Sequence, residues 1–336
     1  MIKIKKDLIL ILIGICISVA AIVFFLTQFN FNEVFQLILE AKYIFIIAGF
    51  FVYFFNFVAL AFRWYFLLKA ANKPIPFFAC YRINLIGFFS NYVLPLRMGE
   101  VIKAYLTANR ITTEKSMAIS IVIIERLFDF IAVLLLFLLS SYLQKFSIKQ
   151  NPLLIAPLVI AVIAVVIGFI FIFFPDFFLR LYKKLFFWIP FKQKIDNVVN
   201  SIFNGLKSIQ SIQKLLIGLF FTLCYWFCIY FGYYFVLLAL NLNLPWYSVI
   251  FLMVITSIGV SVPSAPGFIG TMEFSIAEAF KILNLPIDFA HACALIYHFT
   301  QFVFVFSFGV LALMGEHISF KELKSIKSDQ KTPMNN

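Results

Sequence analysis

Charged side chains are scarce: they make up 12% of the 336 residues, against about 25% in soluble domains. That deficit excludes an ordinary water-soluble enzyme. Histidine is reduced to 3 residues and no H-E-x-x-H run occurs, so a zincin-type centre is not encoded. There is no Walker A loop and no serine-centred nucleophile elbow, which removes direct nucleotide drive and α/β-hydrolase chemistry. The 5 cysteines (Cys16, Cys80, Cys224, Cys228 and Cys293) are odd in number and scattered through apolar runs. Such a distribution argues against a disulfide framework or a zinc site; Cys224 and Cys228 share a helix face and read as small packing residues. No cofactor is implied.

What the chain has instead is apolar surface: 63% hydrophobic residues, 19% aromatic, with 47 phenylalanines. Several runs approach the roughly 20 apolar residues that cross a hydrocarbon layer ~30 Å thick. The net charge of +12 would suggest nucleic acid in a soluble protein. Here Lys and Arg lie mainly between hydrophobic segments, where positive-inside topology and anionic headgroups account for them. No nucleic-acid partner is expected. The longest polar stretch, 175–214, is too short and too basic to build its own core. The fold class is therefore an all-α polytopic membrane helix bundle. One transmembrane domain covers residues 1–320, with halves at about 1–145 and 146–320, and a short basic cytoplasmic tail follows at 321–336.

Lys3, Lys5 and Lys6 precede an apolar run from Leu8 to Leu26 without a small-x-small cleavage site, which reads as a retained first helix. Six full spans are predicted, at about 8–28, 43–66, 116–141, 153–174, 215–240 and 288–314. Two further apolar stretches are studded with polar and helix-breaking residues. One is 77–95, with Arg82, Asn84, Gly87, Ser90, Asn91 and Pro95; the other is 247–266, with Ser257, Gly259, Ser261, Pro263, Ser264 and Pro266. Each leads into a short helical pattern, 98–110 and 269–283. Irregular backbone at membrane depth must be buried in protein or line a wet cavity, so both read as broken or re-entrant segments; the count rises to eight or more if they cross.

With a cytoplasmic N-terminus, the segment Glu33–Lys42 falls outside. The clusters around Arg63–Lys73, Arg97–Lys115 and Arg180–Lys214 fall inside, and only Lys145 and Lys149 lie on the wrong side. Both termini are then cytoplasmic, and the expected location is a bacterial inner (plasma) membrane. Ile86-Gly87…Pro95…Gly99-Glu100 recurs as Ile258-Gly259…Pro266…Gly270…Glu273, and the spans at 43 and 116 recur at 215 and 288. Three crossings per half predict an inverted repeat, whose interrupted segments mark the substrate site in many transporters.

Four groups of residues carry the chemistry. In Asn91…Pro95-Leu96-Arg97-Met98-Gly99-Glu100…Lys103, a helix break puts Arg97 at its mouth, with forked donors that fit phosphate. Glu100 then lies in the first turn of a new helix and Lys103 one turn on. Glu125, Arg126 and Asp129 sit within a span, where three ionisable groups must face the bundle interior and pair. They read equally as an ionic clamp or as part of a pathway. In Pro263…Pro266-Gly267-Phe268-Ile269-Gly270…Glu273, the amides before a new helix suit an anion. His291 and His298 share a face of the last span near Tyr297 and Gln301; a hydrogen-bonded histidine is the default reading and proton coupling the sharper one.

Together these motifs resemble the lysylphosphatidylglycerol synthase transmembrane-region family, also called flippase-like domain proteins. The resemblance rests on Arg63-Trp64, on Asn91 with Pro95, Arg97, Gly99 and Glu100, and on Glu125, Arg126 and Asp129. It continues through Pro263, Pro266, Gly267 and Gly270 to His298. It implies a membrane domain that moves an anionic, aminoacylated or glycosylated phospholipid, or a polyprenyl-phosphate lipid, between leaflets. The soluble aminoacyl-transfer domain fused to this region in the multiple peptide resistance factor is not encoded here, so synthesis of lysylphosphatidylglycerol is not expected. The implied partners are a membrane phospholipid or lipid-linked sugar, and a separate lipid-modifying enzyme. On this reading Arg97 with Lys103 binds a lipid phosphate, Glu100 orients them, and Arg126 pairs with Glu125 or Asp129. Gly99, Gly267 and Gly270 bring the backbone close to the headgroup. Two rivals stay open: a membrane-embedded transferase using Glu100, Asp129 or His298 as acid or base, and a non-catalytic partner of an envelope-lipid enzyme.

Overall fold

The computed structural model describes residues 2–27, 29–94, 97–111, 115–145, 173–185, 211–262 and 264–318, with isolated positions between 159 and 207. Among the described residues all regular structure is helical. The helices are α1 (Ile2–Thr27), α2 (Phe31–Leu39), α3 (Tyr43–Ala70), α4 (Phe77–Val93), α5 (Gly99–Arg110) and α6 (Lys115–Leu143). They continue with α7 (Pro175–Leu185), α8 (Ile212–Ala239), α9 (Trp246–Ser261), a 3-10 turn (Pro266–Phe268), α10 (Thr271–Ile282) and α11 (Ile287–Gly315).

α3, α8 and α11 are long and apolar enough to cross a membrane; 28 residues rise about 42 Å at 1.5 Å each. They occupy three of the six expected spans. The span expected at 153–174 and the tail at 321–336 lie largely or wholly outside the described residues. α2 was not expected, because Glu33, Glu40 and Lys42 read as a loop. It forms because Asn30 accepts a hydrogen bond from the Glu33 amide at 3.4 Å, a standard N-cap. Val34 is buried on one side while Phe31, Phe35 and Leu39 are exposed on the other.

The two interrupted stretches are helical hairpins. α4 and α5 pack along one another, as do α9 and α10. In the first, the Gly99 amide donates to Asn91 Oδ1 at 2.7 Å, and any Cβ on Gly99 would collide with the Gly87 carbonyl. In the second, a Cβ on Gly259 would collide with Ser275. Glycine is required at both because two helices meet without room for a side chain.

Element lengths recur in order. α3 and α8 each have 28 residues, and α4 and α9 have 17 and 16. α5 and α10 have 12 each, and α6 and α11 have 29 each. α4 and α9 are both preceded by a proline at φ −55°, ψ 143°. α3 lies along α8, the first hairpin leans on α11 through α4, and the second leans on α6 through α9. Each hairpin is thus braced by the long helix of the other half, and their tips meet in the interior. Phe89, Phe251, Phe280, Phe304, Tyr233 and Trp64 fill the surroundings and are fully buried.

Candidate functional site

The deepest polar feature begins on α3. Arg63 sits mid-helix with 0% exposure. Its Nε and Nη2 lie 3.1 and 2.8 Å from Glu125 Oε1. Its Nη1 lies 2.6 Å from Asp129 Oδ1 and 3.3 Å from Thr222 Oγ1. Glu125 also receives Lys103, whose Nζ is 2.9 and 2.7 Å from the two carboxylate oxygens. The Lys103 ammonium rests 3.9 Å above the Trp64 ring, and Trp64 Nε1 donates to Thr107 at 3.2 Å. Every charge in this network is paired, which a buried ion requires.

The network opens into a cavity of about 200 Å³ between the hairpin tips. Arg97, Glu100, Arg126 and Asp129 line it from the first half; Trp226, Phe268, Tyr297 and Gln301 line it from the second. Arg126 lies 3.2 Å from Asp129 and 3.8 Å from both Glu100 and Glu125. Arg97 differs. Its Nη1 donates to the Ser261 carbonyl at 3.3 Å, and its guanidinium stands 5.3 Å from the centre of the Phe268 ring. No ion pair to Arg97 is present among the described residues. The Nε atoms of both Arg97 and Arg126 are buried without a hydrogen-bond partner there.

Arg97 and Phe268 occupy the same place in their Pro-x-x-x-Gly motifs, two residues before Gly99 and Gly270. Both adopt positive φ, 52° and 60°. The same backbone bend therefore presents a cation in one half and an aromatic face in the other, and the two meet by a cation–π contact.

At the second tip Gly267 and Gly270 have φ of 73° and 87°, the left-handed region that favours glycine. A Cβ on Gly270 would collide with the Ser18 carbonyl of α1, and Ser18 Oγ accepts from the Ala265 amide at 2.7 Å. Glu273 caps α10 by accepting from the Gly270 amide at 2.7 Å. Its other oxygen lies 2.5 Å from His298 Nδ1.

Of the residues expected at a site, Asn91, Arg97, Glu100, Arg126 and Asp129 share the cavity wall, and Glu125 lies directly behind them. Lys103 is not beside Arg97: it is buried on Glu125, and the second cation of the cavity is Arg126. Gly270, Glu273 and His298 do not line the cavity. The Gly270 amide expected to face an anion is occupied by Glu273. At Gly99 and Gly270 the space a Cβ would take is held by neighbouring backbone. His291 and His298 part company, since His291 packs against Phe25 and Phe29 with ring centres 4.4 and 5.1 Å away. Asn91 uses its carbonyl oxygen to close the first hairpin.

Arg63 entered the sequence analysis as a basic residue of the topology and, with Trp64, as part of the family resemblance, but with no role at a site; its place inside an apolar span was the available signal. Tyr225 and Trp226 gave none, being two aromatics among many. A family model described as the lysylphosphatidylglycerol synthase TM region matches residues 11–309. The UPF0104 membrane protein of Methanocaldococcus jannaschii is 27% identical over 250 residues, covering 71% of this chain and 99% of that relative. No solved structure matches the chain.

Proposed function

The chain belongs to the lysylphosphatidylglycerol synthase TM-region family, and from that premise we propose that it is a lipid translocase whose substrate carries a phosphate. The observation that carries this reading is Arg97, a guanidinium on the cavity wall with no ion pair among the described residues. A cation without a counter-charge is costly in such a place, and an anionic ligand relieves it. Charge counting agrees. Arg63, Arg97, Lys103 and Arg126 outnumber Glu100, Glu125 and Asp129 by one, and the surplus lies on Arg97. An anionic, aminoacylated or glycosylated phospholipid, or a polyprenyl-phosphate lipid, fits such a site.

In this reading the halves form an inverted repeat with six crossings, both termini face the cytoplasm, and the hairpins are re-entrant. The matching element lengths and reciprocal packing support that arrangement. Lys103, Glu125 and Arg63 act as the brace that holds Arg126 and Asp129 at the wall. Arg97, at the junction of the tips, receives the phosphate as its contact with Ser261 gives way. A transferase finds less support: His298 is held on Glu273 away from the cavity, and Asp129 is held between two arginines. The test is reconstitution of the full chain in vesicles of phosphatidylglycerol and phosphatidylethanolamine, with acyl-labelled fluorescent phosphatidylglycerol bleached from outside by dithionite. Wild type should bleach the inner-leaflet pool and Arg97→Ala should not. Equal bleaching by both, or a chemically altered lipid product, overturns the proposal.

A further inference from the structure

A second concavity, about 400 Å³, lies beside the charged one and is almost wholly apolar. Its floor is Trp226, Ile250 and Met253, of which Met253 is 1% exposed, and Leu223, Phe227 and Trp246 form an exposed rim. The three helices that line the groove, α6, α8 and α9, also line part of the charged cavity. α6 gives Val133 to the charged cavity and Leu136 to the groove. α9 gives Thr256 and Ser257 to the first, and Ile250 and Met253 to the second. Residues three or four apart on a helix lie on one face, so the two spaces are joined along continuous helix surfaces. Trp226 belongs to both walls. Its indole Nε1 is buried and has no acceptor among the described residues.

We propose that the groove holds one hydrocarbon chain of the lipid whose phosphate is bound at Arg97, and that the Trp226 N–H donates to an oxygen at the junction between headgroup and chain. This rests on the phosphate-binding reading of the charged cavity and extends it to the apolar part of the substrate. An exposed rim over a buried floor lets a chain slide in sideways from the bilayer while its headgroup stays among polar groups. Any bilayer lipid touches an apolar surface; what distinguishes this groove is its junction with a charged cavity along Trp226, whose indole N–H has no acceptor among the described residues. A lipid spanning both spaces satisfies the donor, and a lipid merely lying against the protein leaves it unpaired.

The experiment uses the full chain in nanodiscs with phosphatidylglycerol carrying a diazirine midway along one acyl chain. Adducts are mapped after illumination, and retained lipid is weighed by native mass spectrometry. Adducts are expected to concentrate on 223–230 and 246–253 in wild type and to disappear in Met253→Trp; Leu136→Trp fills the same space should the first variant fail to fold. Trp226→Phe keeps the wall and removes the donor, so retention should fall roughly three- to tenfold, as for one hydrogen bond. Lipid retention that depends on Arg97 while adducts spread evenly to lipid-facing Phe55 and Leu311 overturns the groove and leaves the phosphate site standing. Concentrated adducts unchanged in Arg97→Ala overturn the link between the two spaces. Retention independent of Arg97 removes the phosphate site itself.

Discussion

The two hairpin tips are the instructive comparison. Both follow a Pro-x-x-x-Gly pattern, both place a residue at positive φ two positions before the last glycine, and both are closed by a side chain that accepts from that glycine's amide. They differ in what the shared backbone presents. The first tip sets Arg97 and Glu100 on the cavity and is braced from behind by buried ion pairs. The second sets Phe268 there, turns its carboxylate inward as a cap, and is sealed by Ser18 of α1. Two tips of similar backbone thus present a charged jaw and an aromatic jaw.

The contrast can be broken most forcefully from the charged side. Glu125→Gln leaves Arg63 and Lys103 without their shared carboxylate, and losing one partner of a buried pair costs about 3–5 kcal/mol. Thermal unfolding in detergent should show a large drop or no folded protein. The corresponding change at the other tip, Glu273→Gln, should be mild by comparison. Arg97→Ala sharpens the functional half of the contrast. Its only described polar contact is with a backbone carbonyl, so the unfolding midpoint should barely move. Retention of phosphatidylglycerol should fall roughly tenfold or more, as for a charge-assisted hydrogen bond. Phe268→Leu should weaken retention only a few-fold, in line with a cation–π contact of about 0.5–1 kcal/mol.

Packing offers a third handle. Gly99→Ala drives a methyl into the Gly87 carbonyl, so backbone must move; a cost of about 1–3 kcal/mol is expected. Gly259→Ala meets the Ser275 side chain instead, and the double variant with Ser275→Gly should recover most of the loss, whereas no side-chain change rescues Gly99→Ala. The smallest effect is expected at the cap. Glu273→Gln should lower stability by about 1 kcal/mol, typical of an N-terminal cap, and lipid retention should stay near wild type because Glu273 lies off the cavity wall. A loss of retention comparable to Arg97→Ala would return Glu273 and His298 to the site.

Much of the scaffold was legible in the chain. The apolar runs at 43–66, 215–240 and 288–314 became α3, α8 and α11, and the breaks near Asn91 and Ser264 became hairpin turns. Glu125 and Asp129, four apart, do share a face, and Arg126 does sit against Asp129. α2 was missed because its charges outweighed about two and a half turns of amphipathic pattern. Lys103 was set beside Arg97 because one helical turn separates it from Glu100. The structure instead gives it to Glu125, 22 residues away, which a reading along one helix has no means of finding. Arg63 was counted in the topology and in the family resemblance without a role at a site, and it is the centre of the buried network.

By itself the sequence determined what local rules govern. Run length sets which segments can cross a bilayer, proline and glycine set where helices stop, and spacing sets which side chains share a face. Only the tertiary structure decided which of those faces meet. The partners of Arg63 lie 62, 66 and 159 residues away, and the contact of Arg97 with Ser261 spans 164. Periodicity is blind to such pairs because any buried carboxylate would satisfy a buried cation equally well until the helices are packed. The difference between Lys103, which is buried on Glu125, and Arg97, which faces the cavity, was therefore settled by packing: the same charge is paired in one place and has no ion pair among the described residues in the other.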